Sequence, residues 1–209
     1  SLAKLLARPP VLHFRIFVML VAKPDCALLI LGHGSTENPD SSQPSWDHAD
    51  TIEKSGQFGS VHCAFWKEEP SFRQIWPMIE EREIYIVPNF ISEGYFTRQV
   101  LPRELEIDGH TTVRDGRTIH YCDPVGIHSA MTGLLIKRAK EIIDDSVKLE
   151  DTTLIIVGHG TNLNKKSTEA ITDQVEAIKA SGEPFAQVLD AYMEEPPFIA
   201  DWQTLTDSP

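Results

Sequence analysis

Two apolar runs, 27–31 and 154–157, each end in a glycine, a histidine and a second glycine. The first continues into Gly32, His33, Gly34 and Ser35, the second into Gly158, His159, Gly160 and Thr161. Unbroken apolar residues bounded by glycine suit a short strand buried on both faces, as in a parallel sheet covered by helices. Glycines on either side of the histidine permit a sharp turn and leave the imidazole uncrowded. The ring is then presented at the carboxyl end of its strand, where open α/β sheets hold their ligands.

The rest of the first half alternates in the same way. A polar loop over 36–45 leads into a helix capped at Ser42 or Ser45, running to Lys54 and closed by Gly56. Further strands are expected over 58–66, 83–88 and 118–122, helices over 72–81 and 98–105, and a polar turn over 109–116. The loop 89–97 is too apolar for a solvated connection. A long amphipathic helix over 129–145 carries Met131, Leu134, Leu135, Ala139, Ile142 and Ile143 at helical spacing. Strand and helix alternating in this way define an α/β fold, with a three-layer parallel sheet and helices on both faces.

The apolar pattern also repeats. Sliding the chain by 126 positions without a gap matches 16 of 52 residues between 28–79 and 154–205. The matches include Asn38 with Asn164, Asp47 with Asp173, Ser55 and Gly56 with Ser181 and Gly182, and Trp76 with Trp202. Glu68, Glu69 and Pro70 fall on Glu194, Glu195 and Pro196. Two copies of one α/β unit are therefore expected, and the division is an N-terminal arm over 1–24, a first domain over 25–146 and a second, partial repeat over 147–209. The counterpart of 84–130 in the second copy would begin near position 210. A longer chain or another subunit is expected to supply it, and an unfinished sheet with an open edge favours self-association as a homodimer.

Composition narrows the function. The 209 residues are 41% hydrophobic and 24% charged, ordinary for a globular protein. A formal net charge of −12 argues against nucleic acid or an anionic membrane as the main partner. Cys26, Cys63 and Cys122 are widely spaced, with no Cys-x-x-Cys pair. They fit a reducing, cytoplasmic setting and argue against a zinc or iron–sulfur site built from cysteine. The apolar run 11–22 is short and interrupted by His13 and Arg15, so it is neither a spanning helix nor a good secretory signal. The arm is read as non-functional.

Four motifs in order carry a family resemblance. They are Gly32, His33, Gly34 and Ser35 after the first strand; Glu69 and Pro70 after the second; Val87, Pro88, Phe90 and Gly94 with Leu101 and Pro102 downstream; and Pro124, Val125, Gly126, Ile127 and His128 before the long helix. Together they resemble CbiX-type sirohydrochlorin chelatases, over about 25–145 with a half-copy from 153. The resemblance implies two similar α/β domains facing a cleft, inserting Co²⁺, Fe²⁺ or Ni²⁺ into the tetrapyrrole sirohydrochlorin without ATP. It implies no tightly bound cofactor, the metal being a substrate. The family's first metal-binding histidine falls on His33, while the position of its second is occupied by Phe96. Glu93 in the same loop is the nearest replacement.

A histidine and a carboxylate suit that chemistry. A neutral imidazole holds a borderline divalent metal and can accept protons leaving the pyrrole nitrogens, and a carboxylate balances metal charge. The expected catalytic pair is His33 and Glu93. The expected metal ligands are these two and His159, which stands as a second site, the true site or a relic. Ser35, Tyr95, Phe96 and Arg98 are expected to bind substrate, with Arg103, Lys67 or backbone amides near Ser41 also meeting the macrocycle's carboxylates. His62, His120 and His128 read as structural, and Glu68 and Glu69 as helix-start acids.

Two other readings remain open. One is a non-catalytic metal or tetrapyrrole carrier, favoured by Phe96. The other is a histidine phosphatase, whose phosphate-clamping arginine would have to stand where Gly32 does. A phosphate-binding loop opened by Gly158 would need glycine at Leu163, and no Gly-x-Ser-x-Gly elbow is present.

Overall fold

The computed structural model describes residues 21–38, 40–144, 146–160 and 165–206. The expectations for most of the N-terminal arm and for Thr161, Leu163 and Asn164 lie outside the described residues.

The first sheet follows the apolar pattern. Strand β1 (Lys23–Gly32) leads through helix α1 (Gln43–Lys54) to β2 (Phe58–Phe65), then to β3 (Glu83–Pro88). A π-helical turn, Phe96–Val100, runs into α2 (Leu101–Leu105), and β4 (Thr111–Arg114) and β5 (Arg117–Tyr121) complete the sheet before α3 (Ala130–Ile142). The strand order is β2-β1-β3-β5-β4, so β1 is paired on both sides. Its alternate residues serve two cores. Ala27, Leu29 and Leu31 pack with Phe72, Ile75, Ile79, Leu101 and Leu105 on one face, and Leu28 and Ile30 pack with Ala49 and Phe65 on the other. Burial on both faces is why β1 reads as an unbroken apolar run rather than an alternating one.

Two expectations in this unit are corrected. Only Trp76–Met78 of the helix expected over 72–81 is helical, as one 3-10 turn. Pro77 lacks a donor and its ring clashes with the preceding turn, so an α-helix cannot run through it, although Ile75 and Ile79 still reach the core. The turn expected over 109–116 is instead half of a hairpin, β4 pairing antiparallel with β5. Asp115 (φ 51°) and Gly116 (φ 73°) both take the left-handed conformation that a two-residue hairpin loop needs.

The second sheet contains β6 (Thr153–Gly158) and β7 (Gln187–Tyr192), parallel and joined by α4 (Lys165–Ala180), with a short α5 (Trp202–Leu205) near the end. Ile171, Val175 and Ile178 of α4 cover it, and Ile136 of α3 joins the same cluster. The long helix of the first unit thus packs on the core of the second.

The two units repeat each other closely around β1–β2 and β6–β7. Gly32 pairs with Phe65 and Gly158 with Tyr192. Phe65 bridges to Ser71, and Tyr192 bridges to Phe198. This register corrects the gapless pairing, because the connection in the second unit is one residue longer. Glu68 corresponds in space to Glu195, and Lys67 to Glu194.

Candidate active site

His33 lies where β1 ends. A Cβ on Gly32 would stand 2.8 Å from the Phe65 ring, and one on Gly34 (φ +66°) would stand 3.0 Å from the Glu68 carboxylate, so the turn has no room for side chains. The imidazole is exposed, with Nδ1 2.9 Å from the carbonyl oxygen of Gly34. A carbonyl only accepts, so Nδ1 carries the proton in this contact and a neutral ring leaves Nε2 as a free base and ligand.

The turn is held from below by Glu68. Its carboxylate accepts hydrogen bonds from the Ser35 amide at 2.6 Å and the Ser41 hydroxyl at 2.8 Å. Hydrogen bonds from Ser42, Ser41 and the Ser35 amide pull the Glu68 carboxyl below its ordinary range. The Ser35 hydroxyl accepts from the amides of Glu37 and Asn38, each at 3.1 Å, so Ser35, expected to bind substrate, shapes the turn. In the second unit a Cβ on Gly160 (φ +76°) would meet Glu195, which accepts a hydrogen bond from Thr168 at 2.6 Å. The same carboxylate clamp thus serves both histidine turns. The recurrence of the acidic pair was its sequence signal, read there as a helix-start role.

Beside His33 lies an aromatic surface. The Phe96 ring sits 5.9 Å from the imidazole, 5.7 Å edge-on to Trp66 and 5.3 Å from Phe90. Phe90, Tyr95 and Phe96, with Ile91, line an open cavity of about 290 Å³, and Tyr95 and Ile91 are more than half exposed. The Lys67 ammonium stands 5.8 Å over the Trp66 ring. Phe96 is thus the ring beside His33, and Tyr95 shares with it the lining of the neighbouring cavity.

Glu93 is placed differently from its expected role. Its carboxylate is gripped by Arg98 Nε at 2.7 Å and Lys166 Nζ at 3.3 Å. The Arg98 hydrogen bond, with help from Lys166, holds its carboxyl down at about 2. Arg98 also binds Asp123 at 3.1 Å. Glu93 and Arg98 are thus tied into a four-charge cluster that joins the loop after β3, the π-turn, the end of β5 and helix α4. A metal at Glu93, or a macrocycle carboxylate at Arg98, would have to compete with these ion pairs. Lys166 and Asp123 were not singled out in the sequence, where exposed charges carry no signal of their partners.

His159 lies at the end of β6, with Nε2 3.3 Å from Glu194 Oε1. The histidines expected to be structural are engaged locally. His62 meets the Ser60 hydroxyl at 2.8 Å, His120 stacks on Tyr85 at 4.6 Å, and His128 Nδ1 accepts the Ala130 amide at 3.1 Å at the start of α3. Arg103 pairs with Glu104. Among the described residues no three histidine, cysteine, aspartate or glutamate side chains converge as a metal cluster, and no helix is long and apolar enough to cross a membrane.

The chain is similar in sequence and in fold to known proteins. The probable sirohydrochlorin cobaltochelatase of Halobacterium salinarum is 44% identical over 192 residues, covering 84% of this chain and 65% of that protein. The chain thus spans just under two thirds of that relative's length. A multi-domain protein of Deinococcus radiodurans with structural similarity to chelatases superposes with a TM-score of 0.78 at 24% identity, over 88% of this chain and 42% of that one. SirB of Bacillus subtilis, solved with Fe³⁺, gives 0.69 at 16% identity, over 86% and 70%. The CbiX family model matches residues 27–142, from β1 to the end of α3, and the chain belongs to the CbiX family.

Proposed function

We propose that this chain inserts a divalent metal, with Co²⁺ the favoured ion, into sirohydrochlorin without ATP. The observation that carries the reading is the 44% identity to a protein named as a probable sirohydrochlorin cobaltochelatase. The paired histidine turns support it. We infer that the units are copies of one ancestral half, on the strength of their repeated register and carboxylate clamps.

Metal insertion is an exchange in which M²⁺ enters the ring and two pyrrole N–H protons leave. A protein serving it must hold the ion firmly enough to strip water and loosely enough to release it. Sites of few protein donors suit that task better than closed three- or four-ligand cages. His33, whose Nδ1 faces the Gly34 carbonyl, can offer Nε2 to a leaving proton. Phe96, Tyr95 and Ile91 offer a flat apolar surface on which the macrocycle can rest beside that base. Lys67, over the Trp66 ring that Phe96 meets edge-on, can receive a carboxylate of the substrate, whereas Arg98 already serves two acids. The chemistry suits a reducing cytoplasm, and the free thiols of Cys26 and Cys63 agree with that setting.

One observation favours a carrier instead: the ring facing His33 is Phe96, which cannot ligate a metal. Incubating the chain with excess Co²⁺ and sirohydrochlorin separates the readings. Repeated turnovers that vanish in His33→Ala support insertion. Stoichiometric binding without metallation selects the carrier.

A further inference from the structure

The helical stretch from Phe96 to Leu105 begins with a turn that holds one residue more than an α-helix accepts. The Leu101 amide donates to the Phe96 carbonyl, five residues back, where an α-helix would use Thr97. That choice leaves the Thr97 carbonyl to find another donor. In the π register the donor would be the residue five ahead, but that residue is Pro102, which has no N–H. The bond comes instead from outside the helix: the Tyr121 hydroxyl, at the end of β5, donates to the Thr97 carbonyl at 2.6 Å. Both residues are buried, Thr97 to 2% and Tyr121 to 6% exposure, so bulk water does not supply that bond. Burial also pushes the Tyr121 phenol above its ordinary range, and it keeps the proton it donates.

We propose that Tyr121 is a positioning residue for the aromatic surface beside His33. By satisfying the Thr97 carbonyl, its hydroxyl holds the turn in the π register, and that register sets the angle at which Phe96 meets the imidazole. The alternative is a slip to the α register, in which the Leu101 amide bonds Thr97 and residues 96–98 rotate by about 100°, one residue of an α-helix. Leu101 and Leu105 are fully buried in the core, so the rotation falls on the side of Phe96. Its ring would leave His33 and the edge of Trp66, and Arg98 would leave Glu93. The Thr97 hydroxyl secures the same turn from its other end, accepting the Gly94 amide at 3.0 Å and donating to the Gly94 carbonyl at 3.2 Å. Without the Tyr121 hydroxyl, a buried carbonyl lacks a donor that only the α register can restore from the backbone. The kinetic consequence rests on the proposed insertion, whereas the placement of Phe96 does not.

Tyr121→Phe removes the hydroxyl and leaves the ring in the core. The imidazole proton resonances of His33, assigned with His33→Ala, carry the ring current of Phe96, and their difference between wild type and Phe96→Leu gives the full effect of that ring. Tyr121→Phe is expected to move them to their Phe96→Leu positions. In cobalt insertion, Tyr121→Phe is expected to raise KM for sirohydrochlorin by about 2- to 10-fold, the scale of one aromatic contact, with kcat changed less. Added to Phe96→Leu, it should raise KM no further, because the ring it positions is already gone. His33 resonances unmoved in Tyr121→Phe, or KM effects that add in the double variant, would overturn the assignment. Far-ultraviolet circular dichroism and thermal unfolding of each variant separate a moved ring from a lost fold. Wild type that metallates no sirohydrochlorin would sink the chelatase reading, and the resonances of His33 would still decide the role of Tyr121.

Discussion

The carboxylate of Glu68 sits 2.6 Å from the amide of Ser35 and holds the turn that aims His33 away from the sheet. Gly34 makes the contact feasible, since a side chain there would strike the same carboxylate. Glu68→Ala should cost about tenfold or more in metal insertion, as expected for a residue that orients a working imidazole. Glu68→Gln keeps an oxygen acceptor for Ser35 and should retain most of the activity. Steady-state rates for the two variants check this, and equal losses would mean that charge, not position, is what Glu68 supplies.

The Glu93 cluster gives the fold a pH dependence with a defined sign. Its folded carboxyl, at about 2, lies below the unfolded value of about 4.3. The native state therefore releases this proton first, so the stabilisation is complete above the unfolded value and disappears as pH falls towards 2. Urea unfolding at pH 7, 5 and 3 should show stability falling most steeply below pH 5. Glu93→Gln should lower stability at pH 7 and flatten that fall. Because Lys166 ties the loop to α4, added salt should weaken wild type more than the variant.

Phe96 faces His33 at 5.9 Å between ring centroids, at the position where the family resemblance puts a second histidine. Phe96→His should create a two-imidazole site in the first unit and add an equivalent of bound Co²⁺. It should also cost about 0.5–1.5 kcal/mol per aromatic pair lost, since the ring packs on Trp66 and Phe90. Cobalt titration and thermal unfolding measure the two effects together.

Gly32 has no space for a methyl group, its Cβ position lying 2.8 Å from the Phe65 ring. Gly32→Ala should destabilise the first unit by about 1–3 kcal/mol, the usual cost of overpacking a filled core. Leu29→Ala, at a fully buried position of β1, should cost about 2–5 kcal/mol. Denaturant midpoints at constant m-value provide the test.

Much of this architecture was legible in the chain because its physics is local or periodic. The run 27–31 had to be buried on both faces, and the glycines around His33 and His159 had to mark turns at strand ends. The failures also have local causes. Pro77 limits the segment after Phe72 to a single 3-10 turn, and Asp115 with Gly116 was a hairpin signal read as plain turn. A one-residue difference between the units shifted the acidic pair, hiding that Lys67 and Glu194 share a place. The engagement of Glu93 by Lys166 could not be read, because the two are 73 positions apart and only the packing of α4 brings them together.

The rate of cobalt insertion into sirohydrochlorin, followed by the change in macrocycle absorbance with wild type, His33→Ala and no protein, bears most directly on the proposed activity. Wild type should turn over many equivalents, and His33→Ala should fall by about a hundredfold or more, the usual contribution of a positioned proton acceptor. Wild type no faster than the protein-free reaction, or His33→Ala as fast as wild type, would contradict it.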